Sequence, residues 1–339
     1  MKPDKLGLAA LLAASIAAPI GAHAADLRFS TWAPPTHPLQ PTGWEPWIQS
    51  IQEASEGRIS VTLFPSEQLG SALDHYDIAR DGIADLAYIA PGYQAGRFPV
   101  IALGQIPFLI ANAKSGTRAF DAWYRNYADK EMGDIHFCMA YLHSPGTLHS
   151  KEPIAVPGDI DGKTVRPAGA TIGQLVASLG GASVQVSAPA ARDALEKGTA
   201  DAITFPWGSL FLYGIDEVTP YHLDMPIYTT PFITGMNKAA YEALSDEDKA
   251  VMDAHCTSEW AEKVAFGWAN FEDEGREKAI ASPDHTLHEP TPEEVKAWQD
   301  AAAPLLDAWK ADVTAKGYDA DTVYQGLVDE LKAAGALYE

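Results

Sequence analysis

Positive charge is scarce in this sequence. Twenty-four lysines and arginines stand against 46 aspartates and glutamates, a formal net charge of −22. So acidic a surface repels nucleic-acid phosphates and anionic membrane faces, which excludes both as partners. Cysteine is nearly absent as well. Cys138 and Cys256 are the only two, too few for a disulfide scaffold or a cysteine-built metal site. Cys138 sits in the apolar run "HFCMAYL" and Cys256 in a helical run; two separate buried thiols and one bridge are both open. Beyond the first two dozen residues no stretch is apolar enough to span a membrane. The catalytic signatures are missing too: no G-x-S-x-G, no G-x-x-x-x-G-K-[ST], no G-x-G-x-x-G. His37, His75, His136, His143 and His149 lack metal-ligand spacing such as H-E-x-x-H, so no metal and no cofactor is expected.

What is present begins with "MKPDKLGLAALLAASIAAPIGAHA". Two lysines, an apolar stretch and the A-x-A triplet Ala22–Ala24 have the layout of a cleaved signal peptide. Residues 1–24 are therefore expected to be removed, by the general export route because no twin arginine precedes the apolar stretch. The mature chain would be soluble, outside the cytoplasm and one unit more negative, since Lys2, Asp4 and Lys5 leave with the signal.

The mature chain then reads as two similar β-α-β-α-β units. "ADLRFSTWA", "RISVTLFP" and "IADLAYIAPG" alternate as strands, with helical runs Trp44–Ser55 and "GSALDHYDIARDG" between them. "GKTVRPAG", "ASVQVS" and "TADAITFPW" repeat the pattern around "TIGQLVASLGG" and "APAARDALEKG". Strands alternating with helices predict parallel sheets, hence an α/β fold with two similar lobes. The remainder is helical. "SDEDKAVMDAHCTSEWAEKVAFGWANFEDEGREKAIA" keeps helical periodicity long enough to cross between lobes, and Thr291 with Pro292 opens a further helix.

In "GKTVRPAG" an arginine stands at a strand's end. Pro167 bars Arg166 from the helical region and holds it extended. The carboxyl ends of strands in open α/β sheets are where ligands bind. A surface position or an internal carboxylate would explain such a residue in most strands; a ligand carboxylate is the other partner a planar guanidinium fits. Trp32, Tyr88, Tyr93, Tyr141, Phe205 and Trp207 all fall at or just past strand ends. Any one suits a core, but together they would wall a single crevice. His37, in the first strand–helix loop, and His143, after a strand, could also face the crevice, with a capping or surface place the alternative for each.

The stretches "FSTWAPPTHP", "GRISVTLFPSEQLG", "DGIADLAYIAPGY", "IPFL", "HSKEPIAVPGDIDGKTVRPAG" and "ALEKGTADAI", in that order, resemble the solute-binding receptors of tripartite ATP-independent periplasmic (TRAP) transporters, of the dicarboxylate-receptor type. The resemblance implies two α/β lobes joined by hinge strands and spanned by a long helix. It also implies closure around a small organic anion, with Arg166 gripping the carboxylate and membrane permease subunits as partners. Lobe I would comprise 25–148 and 230–272, lobe II 149–229 and 273–339, in a monomeric periplasmic receptor without enzymatic activity. A binding protein of an ABC importer and a secreted hydrolase are the alternatives. The chain departs from the family pattern at Pro167-Ala168-Gly169 and at "FPWGS", so a dicarboxylate is not assumed. Arg166, Trp207, Phe205, Trp32, His37, Tyr88 and Tyr141 are the expected ligand-contacting residues. One guanidinium among aromatics predicts a monocarboxylate, because a second buried charge would go uncompensated. Arg97 is the alternative second clamp.

Overall fold

The computed structural model describes residues 25–338; the expected signal peptide lies outside the described residues. Strand β1 (Ala25–Ser30) leads through a wide helical turn at Leu39–Trp44 into α1 (Glu45–Ala54), then β2 (Ile59–Phe64), α2 (His75–Arg80) and β3 (Leu86–Ile89). Helix α3 (Ala113–Glu131) follows, then β4 (Ile135–Leu142). The chain crosses at residues 143–146 into β5 (Thr147–Ser150), β6 (Thr164–Arg166), α4 (Ala170–Ser178), the two-residue β7 (Ala182–Ser183), α5 (Ala191–Glu196), β8 (Ala202–Phe205), α6 (Trp207–Leu212) and β9 (Tyr221–Leu223). It returns along β10 (Pro231–Asn237) to α7 (Lys238–Glu242), α8 (Asp246–His255) and α9 (Ser258–Ala281). The last elements are β11 (Thr286–His288), α10 (Pro292–Ala302), α11 (Pro304–Ala315) and α12 (Ala320–Ala333).

Two sheets result, ordered β2-β1-β3-β10-β4 and β11-β9-β5-β8-β6-β7. The six strands read from alternation are all present, and β1 pairs in parallel with β2 and β3. The returning strand β10 runs antiparallel between β3 and β4. Gly146 bridges Tyr228, so the two hinge crossings lie side by side. This is the α/β, two-lobed arrangement expected from the sequence.

Packing changes two expectations, the unbroken long helix and the lobe bounds, and decides between the two cysteine arrangements left open. The long helical run is broken into α8 and α9, because Thr257 leaves helical geometry and its hydroxyl caps α9 at the Trp260 amide. Cys256, at that break, is bonded to Cys138 of β4, with Cα atoms 4.4 Å apart. The division of lobes also shifts. The second sheet starts at Thr147 rather than 149. Trp298 of α10 packs with Ile160, Val165 and Leu223 in the core beside the second sheet. Helices α11 and α12 instead sit on lobe I. The Trp309 indole donates to the Pro99 carbonyl at 2.7 Å, and the Trp123 indole to Val323 at 2.9 Å.

Helix α9 packs on α3 and β4 at one end and on α6 at the other, which makes it the strut between the lobes. Its crossing with α6 is unusually close. A Cβ on Gly275 would lie 2.3 Å from the backbone of Gly208, a distance that forces the helices apart. One turn earlier, Glu272 accepts hydrogen bonds from the Gly208 and Ser209 amides, the Ser209 hydroxyl and the Trp268 indole. Gly275→Ala should therefore destabilise the fold by about 1–3 kcal/mol through overpacking. A denaturant titration measures this; an unshifted midpoint would show that the crossing can relax.

Candidate ligand-binding site

Between the lobes lies a cavity walled by both. Trp32 and Tyr93 come from the loops after β1 and β3, and Arg166, Ala188 and Phe205 from lobe II. His143, Tyr228 and Thr230 come from the hinge crossings, with Phe232 from β10 and Trp268 from α9. Every moving part of a two-lobed receptor thus contributes to one wall.

Arg166 is 1% exposed and has no acidic partner among the described residues. Its Nε donates to the Val186 carbonyl at 3.0 Å, and Nη2 donates to the Tyr93 hydroxyl of the other lobe at 3.0 Å. The same hydroxyl accepts from the Ala188 amide at 3.0 Å. With both acceptor positions used, the Tyr93 proton is left to donate elsewhere. The guanidinium also keeps donors beyond the two it has spent, and an oxygen-rich anion matches both groups. Among the described residues no other charged side chain lines this cavity.

Further polar atoms around it lack partners. Trp32 Nε1, Tyr213 Oη, Tyr228 Oη and Thr230 Oγ1 are buried and make no hydrogen bond within the described residues. Buried polar groups are nearly always satisfied, so four unpaired atoms around one cavity mark it as built for something polar. The rest of the wall is aromatic: Trp32, Phe232 and Trp268 follow one another at centroid distances of 6.0 and 5.3 Å.

The structure brings Arg166, Trp32, His37 and Phe205 to this wall. Three other expected residues lie elsewhere. Tyr88 stacks behind Trp32 at 4.6 Å, and Tyr141 stacks behind Tyr88 at 6.0 Å. Both project from strands inside the first sheet, where their rings belong to the core rather than the crevice. Trp207 opens α6 just after Pro206, and its indole faces away, against His149 and His222 at 4.9 and 5.4 Å. Tyr213, Tyr228, Thr230, Phe232 and Trp268 were not singled out as crevice residues from sequence. Tyr228, Thr230 and Phe232 belong to "IYTTPFITG", whose prolonged β-branched and aromatic run signals a strand but not the hinge. Arg97 is committed elsewhere, paired with Asp77 at 2.8 Å and lying 4.1 Å over the Tyr76 ring.

A two-lobed α/β body, a hinge and an interlobe cavity carrying one bare guanidinium define a receptor for a small organic anion. The chain belongs to family 7 of the bacterial extracellular solute-binding proteins, whose model matches residues 29–312. It is 28% identical to a TRAP solute-binding protein of Rhodoferax ferrireducens solved with copurified benzoate; the match covers 91% of this chain and 98% of that one, with a TM-score of 0.85. It is equally 28% identical to a TRAP solute-binding protein from a marine metagenome (an unidentified microbe), specific for aromatic acid ligands and co-crystallised with 3-hydroxybenzoate, over 91% and 98% at a TM-score of 0.84. A Comamonas testosteroni protein described as outer membrane transporter protein TsaT is 25% identical over 92% of this chain and 93% of its own. The chain is thus a TRAP-type receptor of the dicarboxylate-receptor kind, as its sequence resemblance implied, and the ABC-importer alternative gives way.

Two measurements probe this site. Five histidines are kept neutral by burial, which pushes His37 and His149 down to about 3, His75 and His143 to about 4 and His222 to about 2. Unfolded, each would take a proton near pH 6.5, so below that pH the unfolded chain binds more protons and stability falls. Burial raises Glu131 and Glu272 to about 7. These two oppose the trend, because the folded state binds their protons first as pH drops from 7 toward 4.5. Burial lowers His136 in the same sense and raises Asp121 and Asp216 with the glutamates, so the histidines outnumber the carboxyls six to four. The melting temperature should therefore decline from pH 7 to pH 5; a flat or rising profile would show the histidines are not held neutral. Separately, Trp32→Phe should remove much of any fluorescence change produced by a bound acid, whereas Trp207→Phe should preserve it. The reverse pattern would place the wall at Trp207.

Proposed function

We propose that this protein captures a small aromatic monocarboxylate outside the cytoplasm and delivers it to the membrane subunits of a TRAP transporter. The observation that carries the reading is the lone buried guanidinium of Arg166 in an otherwise uncharged, aromatic cavity. A carboxylate pairs with the fork of Arg166 and takes the Tyr93 proton, while Trp32, Phe205 and Phe232 enclose an apolar body. A second carboxylate would meet no cation, since Arg97 is occupied and Lys163 is paired with Glu152. The likeness to relatives holding benzoate and 3-hydroxybenzoate supports the same class.

Capture proceeds by closure. Tyr93 and Arg166 belong to different lobes, so a cargo held by both favours the closed state over the open one by its differential contacts. No turnover is assigned to the site, the receptor acts as a monomer, and residues 1–24 are its cleaved export signal.

Calorimetry on refolded, ligand-free protein tests this. Benzoate should bind at least about tenfold more tightly than succinate, whose second charge would be buried unpaired. Arg166→Ala should cost about 2–5 kcal/mol of benzoate binding, and Arg166→Lys should lose affinity with the fork. Selective succinate binding, or near-native benzoate affinity in Arg166→Ala, would overturn the proposal.

A further inference from the structure

The end of the cavity beside Trp268 is built differently from the end beside Arg166. His37 and His143 both pack edge-on against Trp268, with ring centroids at 5.0 and 5.8 Å. Arg166 instead lies near the rings of Tyr93 and Phe205. Both imidazoles are almost fully buried and line the cavity.

Their tautomers are fixed, and they are opposite. Nδ1 of His37 accepts the Leu39 amide proton at 3.2 Å, so its proton sits on Nε2. Nδ1 of His143 faces the Ser144 carbonyl at 2.5 Å. A carbonyl only accepts, so this nitrogen carries the proton and Nε2 of His143 is a bare lone pair. Neither Nε2 has a partner among the described residues. Of the two imidazoles packed on Trp268, one therefore offers a donor and the other an acceptor. Burial pushes both down, to about 3 and about 4, which keeps this assignment across the neutral range.

A carboxylate, ketone or ether oxygen can take the His37 proton but cannot supply one to His143. A hydroxyl does both at once. We propose that this pair of histidines is a hydroxyl-recognition subsite, so that the cargo is a hydroxy-substituted aromatic acid, with its carboxylate at Arg166 and its hydroxyl between His37 and His143. The inference rests on the aromatic-monocarboxylate reading above and narrows it. An unsubstituted acid filling the cavity would shut the His143 Nε2 lone pair away from water without a donor, and that penalty disfavours it.

The test is calorimetry on ligand-free protein with benzoate, the three monohydroxybenzoates and the three monofluorobenzoates, which keep the substituent but cannot donate. At least one hydroxybenzoate should bind about tenfold or more tightly than both benzoate and its fluoro counterpart. His143→Phe should shrink that ratio to about threefold or less, and His143→Gln, which retains an acceptor, should restore part of it. The subsite is overturned if benzoate binds as tightly as every hydroxybenzoate, or if His143→Phe keeps the full ratio. The wild-type comparison decides alone should the variants fail to fold. Tight benzoate binding that depends on Arg166 but shows no hydroxyl preference refutes the subsite and leaves the carboxylate reading standing. Absence of binding by all seven acids refutes both.

Discussion

A guanidinium held away from water without a carboxylate of its own is a costly arrangement, and Arg166 is placed in one. An ion removed from solvent loses several kcal/mol of hydration that two neutral hydrogen bonds do not restore. The surrounding structure is arranged to hold the group regardless. Pro167 keeps the end of β6 extended, and Val186 fixes the guanidinium edge. Tyr93 meets it from across the cleft. Under the proposed reading, an empty closed cavity would retain a cation with unused donors and a filled one would not, which would favour closure on cargo over closure on nothing.

The mechanics follow from where the cavity sits. It is lined by the crossings between the lobes themselves, His143 on one and Tyr228 and Thr230 on the other. Helix α9 supplies the third connection. At one end it lies on α3 and β4; at the other, Glu272 and the Gly208–Gly275 contact fasten it to α6. Trp268 projects from this helix into the cavity and donates its indole proton to Glu272. The same helix therefore joins the lobes and walls the cavity.

The sequence carried the local elements well and the long-range ones poorly. Alternation located β1, β2, β3, β6 and β8, because each strand's burial pattern is written in its own residues. The hinge strand β10 went unread as an element: its burial on both faces comes from β3 and β4, far away in the chain. Arg166 was legible through its proline and its strand end. Trp207 was not placed correctly, since Pro206 and Trp207 are adjacent and only the turn into α6 decides which of them meets the cavity. His143, following a strand, was legible only as a residue that could face the crevice; its tautomer, set by the next residue's carbonyl, was not. The placement of α11 and α12 on lobe I depends on indole hydrogen bonds about 200 residues apart in sequence, which no local pattern encodes.

The bond between Cys138 and Cys256 closes a loop of 118 residues. In the chain-entropy account such a closure removes about 5 kcal/mol worth of freedom from the unfolded state, a large fraction of what keeps an ordinary domain folded. It ties β4 to the break from which α9 departs, and in a reducing cytoplasm it does not form. A newly made chain would then lack that contribution to its stability until it reached an oxidising compartment. The bridge thus acts as a timing device for the life of the polypeptide: weaker folding where a chain awaits translocation, and a locked strut where it must work.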